Sequence, residues 1–266
     1  MNTSTQTGVE VIRAMFAQAH PRAAFLPYFP IGYPDYPTSL DIITAMAEVG
    51  VDGFEIGIPF SEPLADGPVI QAATQVALEN GITVRKCIEA VRELRTRGVS
   101  QPMLLMSCFN PLLAYGLKAF VRDAGNAGAN GLIVPDLPPD EGSELMQLCN
   151  HAGLALVFFL SPNSTAERIA FVAKQATGFI YLVSVTGVTG IRTQLPPDLT
   201  EFVERVRAQT DQPLVLGFGI SRPEHAQMLN GLVDGFIVGT AMVKAGASGV
   251  ISAQALAQEL RTALGE

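Results

Sequence analysis

Two carboxylates and several clustered glycines are the residues of this chain whose types and spacing could do chemistry. Glu55 stands between Phe54 and Ile56 in an apolar run. A carboxylate there must be paired or protonated, and burial lifts its pKa toward values useful for proton transfer. Its other possible role is a structural ion pair, which also perturbs a pKa. Asp66 follows in a long Pro-rich stretch. Asp66-Gly67 is an ordinary turn dipeptide, but connections of this length are often functional lids. Downstream, Tyr181 lies in a second apolar run, followed by a stretch rich in Gly, Thr and Pro with Gly187, Gly190 and Arg192. Tyr181 could equally be a core aromatic, and Arg192 a solvated side chain. Gly217, Gly219 and Ser221 form one further cluster, and Gly239-Thr240-Ala241 another. Small residues let backbone N–H groups approach an anion, helped by the positive end of a helix. Ser221 and Glu224 also have capping-box spacing, which marks a helix start just beyond.

Such residues need a scaffold that brings them together. Short, near-continuously apolar runs read as strands at Ala24–Phe29, Gly53–Gly57, Met103–Ser107, Gly131–Val134, Ala155–Leu160, Phe179–Ser184, Pro213–Phe218 and Gly235–Gly239. Continuous apolarity is the mark of strands covered on both faces. Helical periodicity lies between them at Leu40–Val49, Ile70–Glu79, Val84–Arg95, Leu117–Ala127, Glu141–Asn150, Ala166–Lys174, Leu199–Gln209 and Pro223–Leu229, with Ser252–Leu264 last. Eight β/α units in 266 residues predict α/β architecture, a single (β/α)8 barrel domain spanning 1–266. An additional N-terminal helix, Val9–Ala19, would cover the barrel floor. An open doubly wound sheet fits less well, because no GxGxxG follows the first strand. In a barrel the chemistry sits at the C-terminal strand ends, where Glu55, Asp66 and the glycine clusters fall.

Composition narrows the function. Hydrophobic residues make up 48% of the chain and charged ones 16%, enough apolar material for a large core. The net charge of −8 argues against a nucleic-acid or anionic-membrane binder, though one small anion could be held locally. Cys87, Cys108 and Cys149 are scattered and odd in number, as expected of free thiols in a reducing, cytoplasmic setting. The first residues lack a secretion-signal pattern, and no apolar run could span a bilayer. None of the four lysines (Lys86, Lys118, Lys174, Lys244) ends a predicted strand, so a Schiff-base aldolase lacks its nucleophile. His20, His151 and His225 are far apart, and no metal-ligand cluster is evident. What remains is proton-transfer chemistry on a phosphorylated substrate: isomerisation, or carbon–carbon cleavage with an internal electron sink.

The segments GFEIGIPFSEPLADGPVIQ, NPLLAYG, GLIVPDLPPDE, YLVSVTGVTGIR and GFGIS occur in an order that resembles the tryptophan synthase alpha subunit family, from about Phe25 to the C-terminus. The resemblance implies retro-aldol cleavage of indole-3-glycerol phosphate to indole and glyceraldehyde 3-phosphate. It assigns Glu55 as the acid–base at ring C3 and the side-chain hydroxyl, and Asp66 as the partner of the ring N–H. Tyr181 would line the site near Glu55. Gly190, Gly219, Gly239 and Thr240 would bind phosphate, and Thr189 would meet Asp66 on loop closure. Tyr28 and Phe218 would pack around the indole and phosphate ends. The resemblance further implies no metal and no cofactor in this chain. A beta subunit carrying pyridoxal phosphate would receive the indole in an αββα heterotetramer. Three departures stand out: Glu62 for a more usual Asp, Ser107-Cys108-Phe109 before Asn110, and Thr240 for Ser. Competing readings are a free-standing lyase releasing indole, a non-catalytic phosphate-sensing subunit, and a phosphosugar isomerase.

Overall fold

The computed structural model describes residues 6–62, 66–183, 198–217 and 219–265. Eight parallel strands pair in chain order and close into a barrel: β1 Ala24–Pro30, β2 Phe54–Gly57, β3 Met103–Met106, β4 Gly131–Ile133, β5 Ala155–Leu160, β6 Ile180–Val183, β7 Leu214–Gly217 and β8 Gly235–Val238. All eight predicted strands are present. The ring closes where Ala24 pairs with Gly235 and Leu26 with Ile237. Closure leaves no unpaired sheet edge.

Alternation along the strands sorts their side chains into two cores. Leu26, Leu104, Ile133, Val157, Phe179, Val215 and Ile237 cluster inside the ring. Phe25, Phe54, Ile56, Leu105, Leu132 and Phe236 pack outward with the helices. Helix α1 (Gly8–Ala19) begins in a reciprocal capping box between Thr7 and Glu10. It turns Ile12, Met15 and Phe16 into the inner core, where Phe16 meets Phe179 edge-on at 6.0 Å. The expected floor is therefore built, as a plug.

The outer helices are α2 (Tyr36–Glu48), α3 (Pro68–Glu79), α4 (Val84–Thr96), α5 (Phe109–Tyr115), α6 (Leu117–Ala127), α7 (Ser143–Ala152), α8 (Ala166–Gln175), α9 (Leu199–Arg207), α10 (Pro223–Leu229), α11 (Thr240–Ala247) and α12 (Val250–Ala263). Helix α2 starts four residues before the predicted Leu40, because Asp35 caps it and Pro37 is tolerated in its first turn. Two short helices, α5 and α11, were not expected. Helix α5 holds Pro111 in its first turn, where the missing N–H is harmless, and α11 follows Gly239 directly. Helix α10 does start beyond Ser221, but the capping box is absent. Its N-cap is Arg222, with no side-chain cap hydrogen bond, and the Ser221 hydroxyl is buried without a partner. Pro223 takes the first helical position and shifts the cap by one residue. Among the described residues none of Cys87, Cys108 and Cys149 forms a disulfide.

Candidate active site

Strand β2 carries Glu55 on its inward face, in register with Tyr28 of β1 and Leu104 of β3. The residue is 2% exposed, and its Oε2 has no hydrogen-bond partner. Among the described residues no cation pairs with it, so the ion-pair role is not met. Burial, reinforced by the nearby Asp66 charge, pushes its carboxyl up to about 8. Asp66 lies half-buried just before α3, its main-chain carbonyl accepting from Gln71 Nε2 at 2.8 Å. Burial alone pushes its carboxyl up to about 6. Burial thus pushes the two carboxyls to opposite sides of neutrality, Glu55 the further because it also senses Asp66.

Two buried tyrosines lie near this pair, and two glycines make room for them. A methyl added at Gly57 would lie 2.5 Å from the Tyr28 hydroxyl. One added at Gly217 would lie 2.2 Å from the Tyr181 hydroxyl. No side chain fits at either strand end while the rings stay in place. Tyr181 also stacks on Phe159 at 4.6 Å. Both phenols are held well above their ordinary range, first by burial and then by the charges of Glu55 and Asp66. All four groups therefore share one electrostatic environment.

Across the mouth, Gly219 follows β7 with φ +88°, a left-handed conformation that glycine adopts freely. Gly239 is the N-cap of α11, and Thr240 is the helix's first residue. No side chain caps that N-terminus, so its first-turn N–H groups remain available to an anion. Thr189, Gly190 and Phe218, expected here, lie outside the described residues, as do Gly187 and Arg192.

A cavity of about 270 Å³ opens on the β2–β4 side, lined by Tyr28, Phe60, Asp66, Thr74, Met106, Ser107, Cys108, Pro135 and Asp136, with Ile58. Most of these were not expected as site residues. Ser107 and Cys108 stood out in the sequence only as departures from a family pattern. Asp136 holds the start of α5, both carboxylate oxygens accepting from the Phe109 N–H at 2.9 and 3.1 Å. The signal that could have found Ser107 and Asp136 is their position at the C-terminal ends of predicted strands. Among the described residues no group of His, Cys, Asp and Glu is arranged to hold a metal ion.

The fold defines a closed (β/α)8 barrel with two carboxyl groups, Glu55 and Asp66, raised by burial near the C-terminal strand ends. Comparison with known proteins makes this particular. The profile of the tryptophan synthase alpha chain matches residues 15–265, and the chain belongs to that family. A tryptophan synthase alpha chain of Chloroflexus aurantiacus is 48% identical over 222 residues, 84% of each chain. A solved tryptophan synthase structure from Mycobacterium tuberculosis superposes with a TM-score of 0.89 at 38% identity, covering 98% of this chain and 99% of that one. The tryptophan synthase subunit alpha of Legionella pneumophila gives 0.88 at 31% identity, covering 98% and 99%. The chain is accordingly a lyase of tryptophan biosynthesis, in a family whose pyridoxal phosphate lies in the beta subunit.

Proposed function

We propose that residues 1–266 form one barrel domain that cleaves indole-3-glycerol phosphate to indole and glyceraldehyde 3-phosphate. The observation that carries this reading is the pair Glu55 and Asp66, pushed to about 8 and about 6 in one half-enclosed site. Near neutrality Glu55 is an acid and Asp66 an anion, so two like groups take unlike roles. Glu55 gives its proton to ring C3. The positive charge that develops spreads to the ring nitrogen, whose N–H donates to the Asp66 carboxylate. Glu55, now ionised, takes the proton of the hydroxyl on the adjacent side-chain carbon. The bond from that carbon to C3 breaks, and its electron pair restores the aromatic ring. An aldehyde and indole result, with Glu55 protonated again.

Tyr28 and Tyr181 wall the ring, and Gly219, Gly239 and Thr240 hold the phosphate. Thr189, Gly190 and Phe218 are proposed to complete the phosphate end and the closure over Asp66. The proposed partner is a beta subunit in an αββα assembly, a reading supported by membership of the tryptophan synthase alpha chain family. Among the described residues no helix is long and apolar enough to cross a membrane. Three cysteines that form no disulfide among the described residues support a cytoplasmic setting.

The test is indole release from indole-3-glycerol phosphate by the purified chain, with and without the beta subunit, in the presence of a chelator. Slow release that rises sharply with the partner supports the proposal. No release in either condition overturns it.

A further inference from the structure

The cavity wall on the β3–β4 side holds a hydroxyl that the proposed reaction does not use. Ser107 directly follows β3, is 5% exposed, and its Oγ is buried with no hydrogen-bond partner. A buried polar group left unpaired costs about 1–3 kcal/mol, so its retention asks for a reason. Ser107 and Cys108 line the same cavity as Asp66 and Tyr28, with Asp136 beside them. Because Oγ makes no bond where it stands, turning the side chain to another staggered rotamer breaks none.

Strand order places this wall opposite the proposed phosphate end of the site. In a closed ring of eight, β3 faces β7 and β4 faces β8. An anion at Gly219 and the start of α11 therefore sits across the mouth from Ser107 and Asp136. On the reading under Proposed function, a ring with its N–H at Asp66 and its phosphate across the mouth would present its benzo edge to the wall of Ser107 and Cys108.

We infer that Ser107 is a specificity-determining residue that receives a small polar substituent on the benzo edge of the indole. The site then favours ring-hydroxylated ligands over ring-methylated ones of the same size. This orientation rests on the reading under Proposed function. The hydroxyl finds a partner in Ser107 that a methyl group cannot use, and a site with an unmet hydrogen bond discriminates by that difference.

The test uses indole-3-propanol phosphates, which lack the side-chain hydroxyl and cannot be cleaved, carrying a hydroxyl or a methyl at each benzo carbon in turn. Binding is measured by calorimetry on the whole chain, its Ser107→Ala variant and its Ser107→Cys variant. Neither substitution removes an existing hydrogen bond, and Cys keeps the volume with a weak donor. The expected result is a five- to tenfold preference, on the order of one hydrogen bond, for hydroxyl over methyl at one benzo position at least. Both variants should reduce it to within about twofold. No preference in the parent chain, or one that survives both substitutions, overturns the inference. Failure to bind the unsubstituted phosphate ligand overturns the functional reading instead, so the two failures are distinguishable.

Discussion

Glu55 keeps its proton at neutral pH because water and cations are both kept from it, and this has consequences for activity and for stability. With Asp66 ionised above about 6 and Glu55 protonated below about 8, kcat/KM should follow a bell between those values. The limbs belong to the coupled pair rather than to either carboxyl alone. Asp66→Asn should remove the acid limb, and a pH–rate series on that variant checks it. Glu55→Gln should lower turnover by about 10²–10⁴-fold, read as indole release. The stability effect runs the other way. The folded chain holds the Glu55 proton up to about 8, whereas an unfolded chain releases it near 4.5. Stability is then full below 4.5 and declines as pH rises through 8. Glu55→Gln should abolish that decline and melt above the parent at about pH 9, each kcal/mol giving roughly 2–4 °C. A variant that melts below the parent there would show that the carboxylate is stabilised by a contact.

At the scale of elements, β6 and β7 must fit each other around Tyr181. Its ring is pinned on one side by Phe159, so it cannot retreat from a methyl at Gly217. Gly217→Ala should cost about 1–3 kcal/mol in a thermal melt and lower kcat/KM, because relief comes only by moving the ring or the strand. Helix α1 answers to a simpler term. Phe16→Ala empties part of the inner core and should cost about 3 kcal/mol, seen as a fall in Tm of roughly 6–12 °C, with KM little changed. These elements also explain what could be read from the sequence. The strands were legible because burial on both faces leaves an unbroken apolar run, and Glu55 was conspicuous as the charge inside one. Helices α5 and α11 were not legible. Each is short and begins inside a segment whose Asn-Pro or Gly-Thr reads as a loop. Ser107 was hidden for another reason: a serine closing a strand looks ordinary until the cavity beside it is known. Asp136 likewise reads as part of a Pro-rich turn until the start of α5 is seen resting on it.

The whole molecule carries a net charge of −8, yet its proposed substrate is an anion. Net charge therefore offers no long-range attraction, and on the proposed reading backbone N–H groups win the phosphate at close range. Raising ionic strength from about 0.01 to 0.15 M shortens the Debye length from roughly 30 to 8 Å and screens repulsion. Under non-saturating substrate, kcat/KM should hold or rise over that range, whereas a cationic funnel would make it fall. The plug formed by α1 has a further consequence for traffic. A ring of strands stoppered at its base by Ile12, Met15 and Phe16 is a cup rather than a pipe. Among the described residues the base of the ring offers no passage, so the site is reached from the C-terminal face of the barrel. A partner seated on that face would therefore stand at the approach to the site.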